Sequence, residues 1–112
     1  MTINELVAEA HRLARMKGWY DSPRTALEVH MLIVSEIAEA TEAVRAAIPP
    51  MSVHVEAPNL PLVKPEGELI ELADAVIRIA DYCGAQGWDL EAAIRLKLTY
   101  NLTRPHRHGK TC

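Results

Sequence analysis

Two pairs of acidic residues lie three positions apart inside otherwise apolar segments, Glu36 with Glu39 and Glu71 with Asp74. Residues three apart on a helix project from the same face, with their Cβ atoms roughly 5–6 Å apart. Each pair therefore directs two negative charges to one place, and two such helices packed face to face would gather four carboxylates. Because like charges repel strongly where water is scarce, we expect a cation between them.

The ligand chemistry of the four acids indicates which cation. Carboxylate oxygens without Cys or His in the same clusters suit Mg²⁺, with Mn²⁺ as a substitute, better than zinc or copper. Mg²⁺ is usually held by one or two carboxylates together with waters and substrate phosphates, so four acids indicate a phosphate-bearing substrate and allow more than one ion. A di-iron helical bundle is the competing use of such carboxylates, but its Glu-x-x-His motifs are missing.

Two interpretations of the acids need no metal. A solvated charged face explains most acidic pairs on helices, but between residues 69 and 80 the only charges are Glu71, Asp74 and Arg78. The stronger alternative is a buried ion pair between Asp74 and Arg78, one turn apart on the same helix. That pair would still leave three acids without a partner.

The last predicted helix carries the opposite charge. Lys97, Tyr100, Asn101 and Arg104 fall at positions i, i+3, i+4 and i+7 and therefore form one stripe. Two cations and two hydrogen-bonding side chains on one stripe suit a polyphosphate. A solvated basic helix end, favoured by the helix dipole, is the alternative, and it explains residues 107–110 better than it explains Lys97.

Helical periodicity dominates the chain, and alternating strand patterns are nearly absent. Capping residues and prolines mark the ends of four predicted helices. Thr2 precedes the first helix, Thr25 or Ser22 precedes the second, and Asp89 precedes the fourth. The predicted helices span residues 3–18, from 22 or 25 to about 48, from 66 to 84 or 87, and 90–102. We therefore predict an all-α four-helix bundle.

The link between the second and third helices, residues 49–65, holds five of the seven prolines and no glycine. Loops longer than about 12–15 residues in a compact domain are usually functional or mobile. We expect either a stiff flap beside the acidic site or a plain surface excursion. The alternation from Val53 to Val55 is too short to predict a strand.

Composition sets the broad class of protein. A chain of 112 residues suits one domain, residues 1–112 with a basic tail at 104–112, and 49% hydrophobic with 24% charged residues is ordinary for a globular protein. A net charge of −3 predicts no general attraction to nucleic acid or to an acidic membrane. No apolar run approaches the ~20 residues of a membrane span, and the first residues lack signal-peptide features. We expect a cytoplasmic protein.

These residues together resemble a known family. Across essentially its whole length the chain resembles the MazG-like all-α nucleoside triphosphate pyrophosphohydrolases. The resemblance rests on Glu36-x-x-Glu39 followed by Glu71-x-x-Asp74, and on the later segment Lys97-x-x-Tyr100-Asn101-x-x-Arg104-Pro105. The 31 residues between Glu39 and Glu71 are a long spacer for this family, and a single glycine follows His108 where family members often have two.

The resemblance implies that Glu36, Glu39, Glu71 and Asp74 hold Mg²⁺ while a nucleoside triphosphate is cut between its α and β phosphates, giving monophosphate and pyrophosphate. Either Glu36 or Glu39 would accept the proton of the attacking water. The stripe of the fourth helix would bind the phosphates. Trp19 and Tyr20 are candidates to stack on the base, with core packing as the alternative for Trp19. The family assembles as dimers or tetramers, so we expect a homodimer or homotetramer.

Two other functions stay open. Phosphoribosyl-ATP pyrophosphohydrolase belongs to the same superfamily, and its substrate would carry the same phosphates. A non-catalytic helical module that binds nucleotides or proteins could share the fold without the reaction. Hydrolysis of a triphosphate panel with Mg²⁺ separates an enzyme from a binding module, and addition of phosphoribosyl-ATP separates the two enzymes.

Overall fold

The computed structural model of the protein describes residues 1–55 and 63–111, and four helices dominate it. The all-α character and the four helices are therefore confirmed. The helices are α1 (Ile3–Met16), α2 (Ala26–Arg45), α3 (Glu68–Gln86) and α4 (Leu90–Leu102). A ribbon of two short strands, β1 (Ser52–Val55) and β2 (Val63–Glu66), joins α2 to α3, and a 3₁₀ turn (His106–Gly109) follows α4.

Side-chain caps set the beginnings of three helices. Thr2, Thr25 and Asp89 each accept a hydrogen bond from the backbone N–H three residues later. Each such bond satisfies one of the donors that a helix leaves free in its first turn. At the other end of α3, Gly87 adopts the left-handed conformation that commonly terminates a helix. The predicted beginnings hold, whereas α2 ends at Arg45, three residues earlier than predicted.

The prediction that the link contains no strand is wrong. β1 and β2 pair antiparallel, with Ser52 opposite Glu66 and Val53 opposite Pro65. In a ribbon of two strands each strand keeps one unpaired edge, so a proline without an N–H is tolerated in β2. The pairing joins two short segments on either side of residues 56–62, and an alternation of three residues does not reveal it. The rest of the predicted flap, residues 56–62, lies outside the described residues.

The base of the ribbon closes on Gly67. This residue is buried and has a φ of 120°, which side-chain-bearing residues rarely adopt. A Cβ at this position would collide with the carbonyl oxygens of Pro49 and Pro50. At the same point the Leu69 N–H donates a hydrogen bond of 2.9 Å to the Pro50 carbonyl. The segment that leaves α2 and the first turn of α3 are thus held together directly, below the ribbon.

The central helix is α3, which packs against both α1 and α2. Val7 and Ala10 of α1 meet Ala80 and Cys83 of α3 in a small buried core. Cys83 is a free, buried thiol, and burial raises its pKa. Next to it, a Cβ on Gly84 would lie 2.7 Å from the Cβ of His11, so the two helices approach closely because this residue has no side chain.

The fourth helix meets this core at its first residue, Leu90. It packs mainly against α1, and none of its residues is buried in the described parts of the chain. Leu96 and Leu102 expose 74% and 86% of their surface. The radius of gyration is 17.0 Å, against about 13 Å for a compact domain of this length. Within residues 1–55 and 63–111, no helix is long and apolar enough to cross a membrane.

Candidate metal centre and adjoining cavity

Three carboxylates from two helices meet where α2 packs on α3. One oxygen each of Glu36, Glu71 and Asp74 lies within 4.8 Å of the others. Glu36 is buried on α2, whereas Glu71 and Asp74 lie three residues apart near the beginning of α3. Their spacing of three places both α3 carboxylates on the face that meets α2. The structure therefore brings together one member of the first acidic pair and both members of the second.

The fourth predicted ligand, Glu39, lies at the edge of this group. It is exposed on α2, three residues after Glu36, and is not one of the three residues whose oxygens cluster. After burial, the carboxylate of Glu39 is nevertheless the main cause of the raised pKa of Glu71. Glu39 is thus a neighbour of Glu71 on the exposed side of the centre.

Arg78 compensates the most buried of these charges. Its Nε donates a hydrogen bond of 2.8 Å to Glu36 Oε1. The alternative considered from the sequence paired Arg78 with Asp74 instead, whereas the ion pair that the structure shows joins Arg78 to Glu36 on the neighbouring helix. The side chain of Glu36 is 9% exposed and that of Arg78 32%. A buried carboxylate needs a hydrogen-bonded countercharge more than the exposed Asp74 does. Toward Asp74, Arg78 contributes charge that partly opposes the rise of the pKa of Asp74.

The second oxygen of Glu36 tests whether a cation fits. Glu36 Oε2 is buried and has no hydrogen-bond partner among the described residues. An unsatisfied buried acceptor costs about 1–3 kcal/mol, and more when it is charged. A hard cation between the three carboxylates would provide the missing partner. Two oxygens bound to one Mg²⁺ lie at most roughly 4.2 Å apart, and the three carboxylate oxygens lie within 4.8 Å of one another, so a small side-chain adjustment lets these residues hold Mg²⁺ or Mn²⁺.

The crowding of the carboxylates also raises the pKa values of two of them. Burial, the neighbouring carboxylates of Glu39 and Glu36, and the charge of Asp74 raise the pKa of Glu71 to about 7. The pKa of Asp74 is also raised, first by burial and then by the charge of Glu36. Near neutral pH the cation-free centre therefore shares a proton, which a bound cation would displace.

A cavity of about 230 Å³ opens beside the carboxylates. It extends from Glu36 and Asp74 to the segment that follows α1, where Trp19 and Arg24 form part of its wall. Its remaining lining residues are Leu13, Ala14, Ile77, Arg78 and Asp81. Trp19 is more than half exposed. The structure thus places the predicted stacking residue beside the acids, on a surface that a ligand can reach.

The four predicted substrate-binding residues, three on α4 and Arg104 two residues beyond its end, lie elsewhere. Among the described residues of one chain, none of the four lines this cavity. Lys97 Nζ lies 4.8 Å, and the Arg104 guanidinium 5.6 Å, from the centre of the Tyr100 ring. These cation–π contacts organise the stripe, with Asn101 half-buried on the same helix. The helix ends before Arg104, contrary to the prediction, although this side chain still lies against Tyr100. The described residues of a single chain do not bring the stripe to the cavity beside the acids.

The sequence interpretation missed two residues of the cavity wall. The Arg24 guanidinium lies 5.8 Å from the Trp19 ring and 5.6 Å from the Tyr20 ring, and no local pattern marks it. Asp81 had a signal, because it continues the face of Asp74 and Arg78 by one further helical turn. It accepts hydrogen bonds from Tyr20 and His11.

These residues and distances are the basis on which a function can be assigned, since no protein-family model, curated protein or solved structure matches the chain.

Proposed function

We propose that the protein is a Mg²⁺-dependent nucleoside triphosphate pyrophosphohydrolase, which releases a nucleoside monophosphate and pyrophosphate. The observation that carries the proposal is the buried, unpartnered Oε2 of Glu36 inside a group of three carboxylates. The adjoining cavity supports it, because carboxylates at one end and an indole at the other suit a ligand with a phosphate chain and an aromatic ring. Oxygen ligands without Cys or His favour Mg²⁺ over softer metals.

In this proposal the acidic residues and Arg78 have distinct roles. Bound Mg²⁺ would neutralise charge on the phosphates and make a water acidic enough to attack near neutral pH. Arg78 fixes the Glu36 carboxylate through Oε1, which leaves Oε2 as the ligand oxygen beside those of Glu71 and Asp74. Since both oxygens of Glu36 are then in use, Glu39 is the residue that accepts the proton of the attacking water.

The bond changes balance without a further reactant. The water oxygen bonds to the α phosphorus, and the bond from that phosphorus to the oxygen bridging to the β phosphate breaks. The electron pair of the broken bond leaves with pyrophosphate. Trp19 would hold the base and keep the α phosphate beside the carboxylates, which is a contribution of positioning.

Hydrolysis of a substrate panel tests the proposal. The common ribo- and deoxyribonucleoside triphosphates and phosphoribosyl-ATP are incubated with the protein in Mg²⁺ or in EDTA, and the products are quantified. We expect monophosphate and pyrophosphate in equal amounts, in Mg²⁺ only. Turnover of phosphoribosyl-ATP alone would identify the alternative enzyme, and no turnover of any compound would support a binding module.

Amide variants assign the activity to the acids. Glu39→Gln and Asp74→Asn should abolish hydrolysis, whereas Glu42→Gln, one turn farther along α2 and exposed, should retain it. In EDTA the Glu39 and Asp74 variants should melt no lower than the wild type, because each removes a charge from a repelling cluster. Mg²⁺ should raise the melting temperature of the wild type, since only the folded chain gathers the ligands. Losses of several degrees in EDTA would assign the acids to structural ion pairs.

A further inference from the structure

The end of the cavity farther from the metal centre is built around Asp81. Its side chain is 13% exposed. Asp81 Oδ1 accepts a hydrogen bond of 2.8 Å from the Tyr20 hydroxyl and lies 3.0 Å from His11 Nδ1. Because an ionised carboxylate only accepts hydrogen bonds, Nδ1 of His11 carries the hydrogen of this contact. Two donors from α1 and the segment after it thus fix one oxygen of Asp81.

The other oxygen remains for a ligand. Among the described residues, every hydrogen bond to Asp81 ends on Oδ1. Since one carboxylate oxygen has about two lone-pair sites, Oδ1 is fully used. Asp81 lines the cavity, so Oδ2 is the acceptor that its carboxylate offers there. This acceptor is built and held by the fold, and the hydrolysis mechanism does not use it.

The surroundings of Asp81 suit a nucleobase. Trp19 contributes an indole to the same cavity wall, and aromatic rings of this kind stack on bases of any sequence. The Arg24 guanidinium adjoins the indole and lines the same cavity as Asp81. Seven helical residues, or about 10 Å of helix, separate Asp81 from Asp74. That length leaves room for a sugar between a base at Asp81 and a phosphate at the metal centre.

We propose that Asp81 selects the base of the substrate, by accepting a hydrogen bond from an amino group on the base edge remote from the sugar. Cytosine and adenine carry an amino donor at that position, whereas uracil, thymine and guanine carry a carbonyl acceptor. A carbonyl oxygen beside Oδ2 would leave both acceptors without a donor and would be repelled. The inference rests on the proposed function and names its substrate class, the triphosphates of cytosine and adenine.

Substitution of Asp81 by asparagine makes the sharpest test. Tyr20 and His11 both donate to the position of Oδ1, so the amide of Asp81→Asn should keep its carbonyl oxygen there. Its NH₂ group then takes the place of Oδ2 and turns the acceptor into a donor. The variant should therefore favour a base with a carbonyl at this edge. Cytosine and uracil have rings of the same size, so they isolate this one contact.

The experiment compares kcat/KM for dCTP and dUTP in Mg²⁺. We expect the wild type to favour dCTP at least about tenfold, as for one hydrogen-bonded base contact, and Asp81→Asn to abolish or invert that ratio. Asp21→Asn, an exposed carboxylate in the same segment as Tyr20, should leave the ratio unchanged. Tyr20→Phe removes one of the two donors to Oδ1 and should raise KM for dCTP while kcat is kept.

Two outcomes separate this inference from the proposed function. Equal kcat/KM for dCTP and dUTP in the wild type, or equal losses for both in a folded Asp81→Asn, overturns the base assignment while hydrolysis stands. If no triphosphate is hydrolysed, the hydrolytic function fails, and calorimetric titration with nonhydrolysable dCTP and dUTP analogues in Mg²⁺ tests the base site alone. Tighter binding of the dCTP analogue that Asp81→Asn abolishes retains the inference; equal or absent binding overturns it.

Discussion

Arg78 holds the countercharge of the most buried acid, Glu36, and this makes it the residue with the clearest effect on stability. Removing one partner of a buried pair is costly because the other charge stays buried without compensation. Arg78→Met should lower the free energy of unfolding of the metal-free protein by about 2–4 kcal/mol, toward the low end of such pairs since Arg78 is partly exposed. Mg²⁺ should restore more stability to the variant than it adds to the wild type. Denaturant unfolding in EDTA and in Mg²⁺ measures both quantities.

A matched control comes from an exposed ion pair. Arg45 lies 3.6 Å from Glu42, with 74% and 71% of the two side chains exposed. Arg45→Met should cost less than about 1 kcal/mol, as surface pairs do. Similar losses in the two variants would show that burial of Glu36 has no special cost, contrary to the interpretation of the metal centre.

The raised pKa of Glu71 gives the metal-free protein a dependence on pH. A carboxyl whose folded pKa of about 7 exceeds its ordinary 4.5 binds protons more tightly in the folded state. Its contribution to stability is complete below pH 4.5 and is lost as the pH rises through about 7. In EDTA, the melting temperature of the wild type should therefore fall relative to that of Glu71→Gln between pH 5 and pH 8.

Two further measurements check this origin. Glu68→Gln, an exposed acid in the first turn of α3, should follow the wild type across the same range. Saturating Mg²⁺ should reverse the trend, because the cation binds the deprotonated carboxylate more tightly at higher pH. A difference between the wild type and Glu71→Gln that does not change with pH would contradict the assignment.

At the scale of residues, the sequence predicts which side chains share a helix face better than it predicts which residues pair between helices. Acids spaced three apart on a helix are readable, because neighbours within one helix follow from its geometry. The hydrogen bond between Arg78 and Glu36 joins residues 42 positions apart, and that between Tyr20 and Asp81 joins residues 61 apart. Such contacts depend on how each helix is rotated about its axis, which no local pattern specifies. Arg24 was missed for the same reason.

Among the elements, helices were predictable and the ribbon was not. A capping residue such as Thr25 acts within three positions of itself, so the beginning of α2 can be read from the adjacent residues. The β1 strand acquires its hydrogen bonds only from β2, and neither strand is long enough to show its own period. The ribbon therefore forms because the two segments pair, and neither segment by itself predicts it.

The stripe on α4 makes a prediction at this scale. Lys97→Ala and Arg104→Ala should each lower kcat/KM for a triphosphate by roughly ten- to a hundredfold, since a charge-assisted contact to phosphate contributes about 1.5–3 kcal/mol. The rise in melting temperature caused by Mg²⁺ should not change, because Lys97 and Arg104 would bind the phosphates of the substrate and not the metal. Arg107→Ala and Lys110→Ala, beyond the helix, serve as controls with small effects. Equal and negligible losses at all four positions would identify a solvated helix end.

The whole molecule is elongated and leaves apolar side chains of α4 uncovered. Its longest extent is 55 Å and its shortest 28 Å, and α4, which has no buried residue, exposes Leu96, Leu98 and Leu102. We propose a homo-oligomer in which these side chains meet another copy. In such an assembly the stripe of one copy can approach the cavity of its neighbour, which a single chain does not achieve.

Light scattering after gel filtration tests the assembly. At micromolar concentration the wild type should be at least a dimer. The double variant Leu96→Glu with Leu102→Glu should dissociate, because burying two carboxylates without partners is unfavourable. Arg15→Glu with Lys17→Glu, two exposed changes at the end of α1, should remain associated. A monomeric wild type with full hydrolytic activity would contradict the proposal.

The closure at Gly67 has a consequence for how such chains can diverge. The backbone hydrogen bond between Pro50 and Leu69 lies beneath the ribbon. The segment between these two residues is therefore a loop whose two ends are held together. Lengthening a closed loop is inexpensive, at about 0.6 kcal/mol for each doubling. Insertions or deletions within this loop would leave the positions of Glu39 and Glu71 relative to each other unchanged. The number of residues between the two acidic motifs is thus a weak criterion for recognising relatives, because the ribbon can change in length while the acids keep their positions.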